Sequence, residues 1–238
     1  MKRFFNTPVV ILLIVLLVMN FMDGEFDNPI QWFIDRLIML PGIIIGLSFH
    51  EFAHAAASNI LGDPTPKMQG RLTVNPMAHI DPVGFIALMF VGFGWGVPVE
   101  IDPRHYKNQR FGELITALAG VVMNFLIAIV FTVILKFTIE IAGSGIEGTW
   151  GYYLNSVIQQ IILINLVLMI FNLLPVPPLD GFGIITQLFK LDRTDWYWKI
   201  YEYGPAILMV LIIFDVTSYI ISPLVIGLYQ GLINIIIL

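Results

Sequence analysis

Seven apolar segments divide the chain, at about 8–22, 37–61, 83–96, 111–139, 152–174, 203–222 and 223–238, with Pro223 separating the last two. The longest, 111–139, is broken by charge only at Glu113 and Lys136. A helix rises about 1.5 Å per residue, so a run of about 20 apolar residues spans a bilayer core. Charged residues make up only 12% of the 238 positions and hydrophobic ones 58%, with a mean hydropathy of +0.85; a soluble domain averages about 25% charge. The pattern reads as an all-α polytopic membrane protein of about six transmembrane helices. The joints at 23–36, 62–82, 97–110, 140–151 and 183–202 are each too short to form a core of their own. The whole chain, 1–238, therefore reads as a single integral membrane domain.

Net charge and cysteine content exclude several classes. The formal charge is −5 and no basic cluster is present, which argues against a nucleic-acid partner. The chain has no cysteine, so disulfides and thiolate metal sites are excluded. Lys2 and Arg3 followed by an apolar run to Met19, with no small-residue cleavage site after it, read as a retained signal-anchor helix.

Basic residues give an orientation. Lys2 and Arg3 place the N-terminus in the cytoplasm, and Asp23, Glu25 and Asp27 fall outside. Lys67, Arg71, Arg104, Lys107, Arg110, Lys190, Arg193 and Lys199 then all lie inside, provided that segment 83–96 enters and leaves by the same face. That segment is short and carries Gly84, Gly92, Gly94 and Gly96, which suits a re-entrant element covered by protein. Arg36 and Lys136 are the two exceptions to the charge rule.

Inside the apolar segment 37–61 stands His50-Glu51-Phe52-Ala53-His54, an H-E-x-x-H pattern. Residues i and i+4 share one helix face, so two imidazoles can meet one zinc ion with the glutamate beside a metal-activated water. Ionisable side chains are costly at membrane depth and are usually functional there. Without cysteine, a third ligand has to be His, Asp or Glu. Asp180 follows the broken stretch Pro175-Val176-Pro177-Pro178-Leu179. With 83–96 re-entrant, segments 37–61 and 152–174 run in the same direction and bring Asp180 to the depth of His50 and His54. The alternative for Asp180 is a turn-forming Asp-Gly pair.

These residues resemble the site-2 protease family of intramembrane zinc metalloproteases, over about residues 40–190. The likeness rests on H-E-x-x-H at 50–54, on Asn172-x-x-Pro175 leading to Leu179-Asp180-Gly181, and on Gly120 with Asn124. Asn75-Pro76-Met77-Ala78-His79-Ile80-Asp81-Pro82-Val83-Gly84 is similar to the bacterial subgroup without PDZ or nucleotide-sensing domains. The resemblance implies His50, His54 and Asp180 as ligands of one zinc per chain, Glu51 as catalytic acid/base, and Asn172 as holder of the substrate carbonyl or oxyanion. Where the family often has proline after the glycine of its second motif, Val121 stands here.

The implied function is zinc-dependent cleavage of peptide bonds within or near transmembrane segments of membrane proteins. The catalytic core is about 37–190, with flanking helices 8–22 and 203–238. The implied setting is a multi-pass protein of the cell membrane with its active site towards the cytoplasm. Substrate and lipid bilayer are its partners, and the oligomeric state is left open. A non-proteolytic zinc-binding membrane protein, transporter or scaffold, is the alternative. Asn172 could instead cap a broken helix end, and Asn124 reads as glue between helices. His79 and His105 read as loop residues. Asp215, within 203–222, reads as a packing or interfacial acid near the outer end. Val97, Val99 and Ile101 alternate as a short edge strand would, able to pair with an unwound substrate through the Val99 N–H; an ordinary loop is the other reading.

Overall fold

The helix that carries His50 and His54 begins earlier than its apolar stretch. Asn28 accepts a hydrogen bond from the Gln31 N–H through its side chain, and Pro29 occupies the first helical position. A capping side chain and an N-terminal proline together start a helix well. In the computed structural model, which describes residues 7–142 and 149–238, this helix (α2, Pro29–Ile60) is 32 residues long. At about 1.5 Å per residue it exceeds the roughly 30 Å of a bilayer core. Lys2, Arg3 and residues 143–148 lie outside the described residues.

The other helices are α1 (Thr7–Met22), α3 (Thr65–Met68), α4 (Pro82–Val91), α5 (Gln109–Ala142), α6 (Thr149–Asn172), α7 (Asp180–Phe189), α8 (Tyr197–Ile213) and α9 (Val216–Ile236). Among the described residues, four are long and apolar enough to cross a membrane: α2, α5, α6 and α9. The apolar part of α1 and the whole of α4 are shorter. The structure thus supports a helical membrane protein and gives four membrane-length helices where the sequence led us to expect about six.

Two expectations near the C-terminus are corrected. Pro223 does not divide the last segments; it lies within α9. The break falls at Phe214–Asp215, where Asp215 takes a left-handed conformation with φ of 55°. Asp215 is exposed in that turn and is not inside a helix. Aspartate is one of the few residues that tolerates this backbone region. A proline inside a membrane helix is tolerated where neighbouring groups satisfy the freed backbone.

Segment 83–96 goes out and comes back. Asp81 caps α4 by accepting the N–H groups of Val83 and Gly84 (2.9 and 2.8 Å), and Gly92 ends it at φ 77°. The chain then returns so that Ile80 and Gly96 form an isolated antiparallel bridge, and the Val97 N–H donates to the His79 carbonyl (2.7 Å). Gly84 permits the return, because a Cβ there would overlap the Trp95 carbonyl. His79 lies in a turn, as expected; it is fully buried there and holds the Thr73 carbonyl through Nε2 (2.7 Å), fixing the base of this hairpin.

Helices α2, α5, α6 and α9 form the bundle. Ala128, Leu135, Ile162, Leu166 and Val225 are buried in its core, as is Val121, the residue that stands where the family often has proline. Lipid is as apolar as these side chains, so packing and interhelical hydrogen bonds hold the helices together. The two exceptions to the charge rule each have a local partner. Arg36 pairs with Glu25 (3.2 Å) and lies over the Trp32 ring. Lys136 donates to the Ile236 carbonyl (2.8 Å), which caps the end of α9 and sets that end beside the part of α5 remote from His50.

Candidate metal centre

The i, i+4 spacing on α2 turns His50 and His54 to one face, where α5 crosses them. Each Nδ1 has a partner that fixes its proton. His54 Nδ1 lies 2.7 Å from the Thr116 carbonyl oxygen, which can only accept, so this nitrogen is the N–H. His50 Nδ1 lies 2.6 Å from Asn124 Oδ1. The Asn124 amide is oriented by its other end, since Nδ2 donates to the Gly46 carbonyl (3.2 Å) and to Asn165 Oδ1 (2.9 Å). Both imidazoles therefore direct an Nε2 lone pair inward.

Asp180 completes the group. The Pro175–Leu179 break ends α6, and Asp180 opens α7 with its carboxylate against the two rings. The Pro177–Pro178 peptide is cis. His50 Nε2 and His54 Nε2 are 3.0 Å apart, and Asp180 Oδ2 lies 3.2 Å from the first and 3.3 Å from the second. Three electron-pair donors converge, and Asp180 Oδ2 is buried with no hydrogen-bond partner. Such a cluster is repulsive unless a cation sits among it. Zinc ligands at about 2.0–2.1 Å in a tetrahedron lie roughly 3.3 Å from one another, which these separations match. The residues fit a zinc ion of two imidazoles and one carboxylate. Side-chain exposures of 7% for His50, 12% for His54 and 19% for Asp180 show a site shielded from bulk water but reachable from one side.

Gly120 makes this arrangement possible. A Cβ at that position would stand 2.5 Å from His50 Cε1 and 2.5 Å from His54 Nε2. Only glycine lets α5 approach the ring pair so closely.

A cavity of about 310 Å³ opens over the cluster, and Glu51 and Asn172 are both in its wall. Asn172 Nδ2 donates to the Leu168 carbonyl one turn earlier (3.0 Å), which leaves the second hydrogen of that amide. Pro98, Val99 and Ile101 form part of the same wall. The segment 97–102 has no regular secondary structure, no strand forms among the described residues, and the Val99 N–H expected to meet a substrate donates to Glu51 Oε2 (2.9 Å). An acidic side chain in reach outcompetes water for an exposed amide donor.

Several residues of the site were not legible in advance. Asn124 bonds three helices together, as the glue reading has it, and also orients His50, which that reading omits. Asp63, Ser58, Tyr106 and Thr116 form a second network. Asp63 is fully buried and accepts Ser58 Oγ (2.8 Å), the Thr65 N–H (2.9 Å) and the Asp102 N–H (2.8 Å). Ser58 Oγ lies 2.8 Å from the Tyr106 hydroxyl, which lies 3.2 Å from Thr116 Oγ1. This network ties the segment that follows Val99 to the helix whose Thr116 carbonyl holds His54. Burial pushes the Asp63 carboxyl up, but the hydrogen bonds from Asp102, Thr65 and Ser58 outweigh it and hold it below the usual range. His105, beside Asp63 and Asp102 at 3.5 and 3.6 Å, is apart from the metal cluster.

The fold and this cluster define a helical protein with membrane-length helices and a group able to hold a metal ion, and sequence comparisons specify the class. Residues 138–214, which include Asn172 and Asp180, match peptidase family M50. The chain is 35% identical over 184 residues to a Bacillus subtilis (strain 168) protein named "Putative zinc metalloprotease YwhC", covering 76% of this chain and 83% of that protein. It is 26% identical over 193 residues to "Putative zinc metalloprotease Rip2" of Mycolicibacterium smegmatis, covering 78% of this chain and 70% of that one. No solved structure matches. The chain belongs to peptidase family M50, the site-2 protease family, and is a zinc metalloprotease of the membrane.

Proposed function

We propose that this protein is an intramembrane endopeptidase, which cuts peptide bonds within or near transmembrane segments of other membrane proteins. One observation carries the reading: three inward-facing ligand atoms at 3.0–3.3 Å share a cavity with Glu51, and helices of membrane length surround them. His50, His54 and Asp180 would hold the zinc. Bound there, zinc supplies Lewis acidity that activates water and polarises the scissile carbonyl.

The chain's own groups do the rest. Asn124 and Thr116 keep both Nδ1 protons in place, so each Nε2 stays a donor of electrons. Glu51 Oε2 is held by Val99, while no described group bonds Oε1. That oxygen can take the proton of the attacking water and deliver it to the leaving amine. The remaining Asn172 N–H can donate to the oxyanion as it develops. Segment 97–102 stands along the cavity wall, where an unwound substrate has to lie.

The protein acts as one integral unit of the cell membrane, with its catalytic core at about 37–190. Charge distribution supports a cytoplasmic N-terminus and a site towards the cytoplasmic face. The hairpin at 80–97 agrees with it, because its two ends meet. The reading is tested by comparing membrane proteomes of cells carrying the wild type and Glu51→Gln. Single-span proteins should accumulate uncut in the variant. Identical proteomes, or zinc movement that persists in the variant, would favour a non-proteolytic zinc protein.

A further inference from the structure

The cavity has a part that the peptidase chemistry does not use. Glu113, near the start of α5, and Gln187, near the end of α7, both line it. Gln187 Nε2 donates to Glu113 Oε2 at 2.6 Å. Among the described residues no Lys, Arg or His nitrogen lies within ion-pair distance of Glu113. Arg110 is one turn away, yet its guanidinium donates to the carbonyls of Gln187 and Leu188 instead. A neutral amide thus holds this carboxylate in position without discharging it, and among the described residues Oε1 has no donor. The same cavity wall also carries the apolar side chains of Pro98, Val99 and Ile101.

A carboxylate placed this way complements a cationic side chain. Within an apolar segment Lys and Arg are costly, whereas they are frequent just beyond the cytoplasmic end of a membrane helix. A cation next to an apolar stretch is therefore the charge that a membrane substrate is best able to present at a site near that face. We propose that Glu113 is a specificity-determining residue that receives a Lys or Arg flanking the cut segment of the substrate. The proposal rests on the peptidase reading above.

The test uses the purified, zinc-loaded full chain in lipid vesicles. Two single-span substrates would differ only in a flanking Arg pair or Gln pair. The wild type should favour the Arg substrate in kcat/KM by about tenfold, the discrimination that a charge-assisted hydrogen bond supplies. Glu113→Gln keeps an oxygen for the Gln187 amide and loses only the charge, so the ratio should fall to about twofold or less. Glu113→Lys should reverse the preference towards a Glu-flanked substrate. An unchanged Arg-to-Gln ratio in Glu113→Gln would overturn the proposal and reduce the residue to a tether between α5 and α7. Equal cleavage of both substrates by the wild type would overturn it as well, with the peptidase intact. Cleavage of neither would remove the peptidase reading together with the subsite.

Discussion

Gly120→Ala places one methyl group against the metal cluster. The added carbon would lie 2.5 Å from His50 Cε1 and His54 Nε2 and 2.7 Å from His50 Nδ1, where ordinary contact begins near 3.4 Å. Either α5 retreats or the rings turn, by about 0.9 Å. Zinc–ligand distances tolerate only about ±0.2 Å. A retreat of α5 also carries Thr116 and Asn124 away from the Nδ1 protons they hold. Loss of such orienting contacts costs about 10–100-fold in metal affinity. Displacement of the donors adds to that, so the affinity should fall by at least about 100-fold, or roughly 2.7 kcal/mol. Helix propensity works in the other direction, since alanine favours a helix over glycine by about 1 kcal/mol. The assay is zinc content of the purified protein after equilibration with a graded series of chelator, alongside cleavage of a single-span substrate. Gly227→Ala is the control, because a Cβ there meets nothing within 4 Å. A Gly120→Ala protein that holds zinc and cleaves as the wild type does would refute the close packing of α5 on the two rings.

Four further outcomes follow from the same geometry. Asn124→Ala removes the acceptor of His50 Nδ1 and should lower zinc affinity about 10–100-fold, read by the same chelator titration. Asp180→Ala should lose most of its zinc, and full retention would redirect the search for a third ligand to Glu100 and Asp102. The Asp63 carboxyl is held below its usual range, so it stabilises the Asp102 end of segment 97–102 above about pH 4 and ceases to do so as pH falls through its folded-state value. Asp102 is itself held down to about 2, chiefly by its hydrogen bond with Arg104; faster exchange of the Asp102 amide on acidification, absent as a pH effect in Asp63→Asn, would mark Asp63 as the responsible group. Single cysteines at Thr65 and Asn108 should label from one face of the membrane and one at Asp27 from the other, and opposite labelling of 65 and 108 would defeat the re-entrant reading of 83–96.

The clustering of His50, His54 and Asp180 was legible because each part left a mark that simple geometry can use. His50 and His54 stand at helical spacing, and the acid comes from a proline-broken stretch at matching depth. The structure brings all three side chains together. The start of α2 also had its mark, Asn28-Pro29, but the polar residues Gln31, Asp35 and Arg36 hid it from a reading based on hydropathy. The turn at Asp215 carried no glycine or proline to announce it, whereas Pro223 announced a break that the helix absorbs. Networks were the least legible part. That Asn124 meets His50, or that Asp63 meets Asp102, depends on pairings between residues 74 and 39 positions apart, which no local pattern encodes. No strand is seen at 97–102, the loop being the other reading the alternation allowed, and the Val99 N–H meets a carboxylate on α2, a pairing the alternation does not encode.

The most direct test of the central claim is mass spectrometry of a single-span substrate, reconstituted in lipid vesicles with zinc-loaded wild type or zinc-loaded Glu51→Gln. The wild type should release fragments whose new ends fall within or next to the substrate's apolar segment, and Glu51→Gln, with the same zinc content, should be slower by about 100-fold or more. Equal cleavage by the two proteins, or none by the wild type, would contradict it.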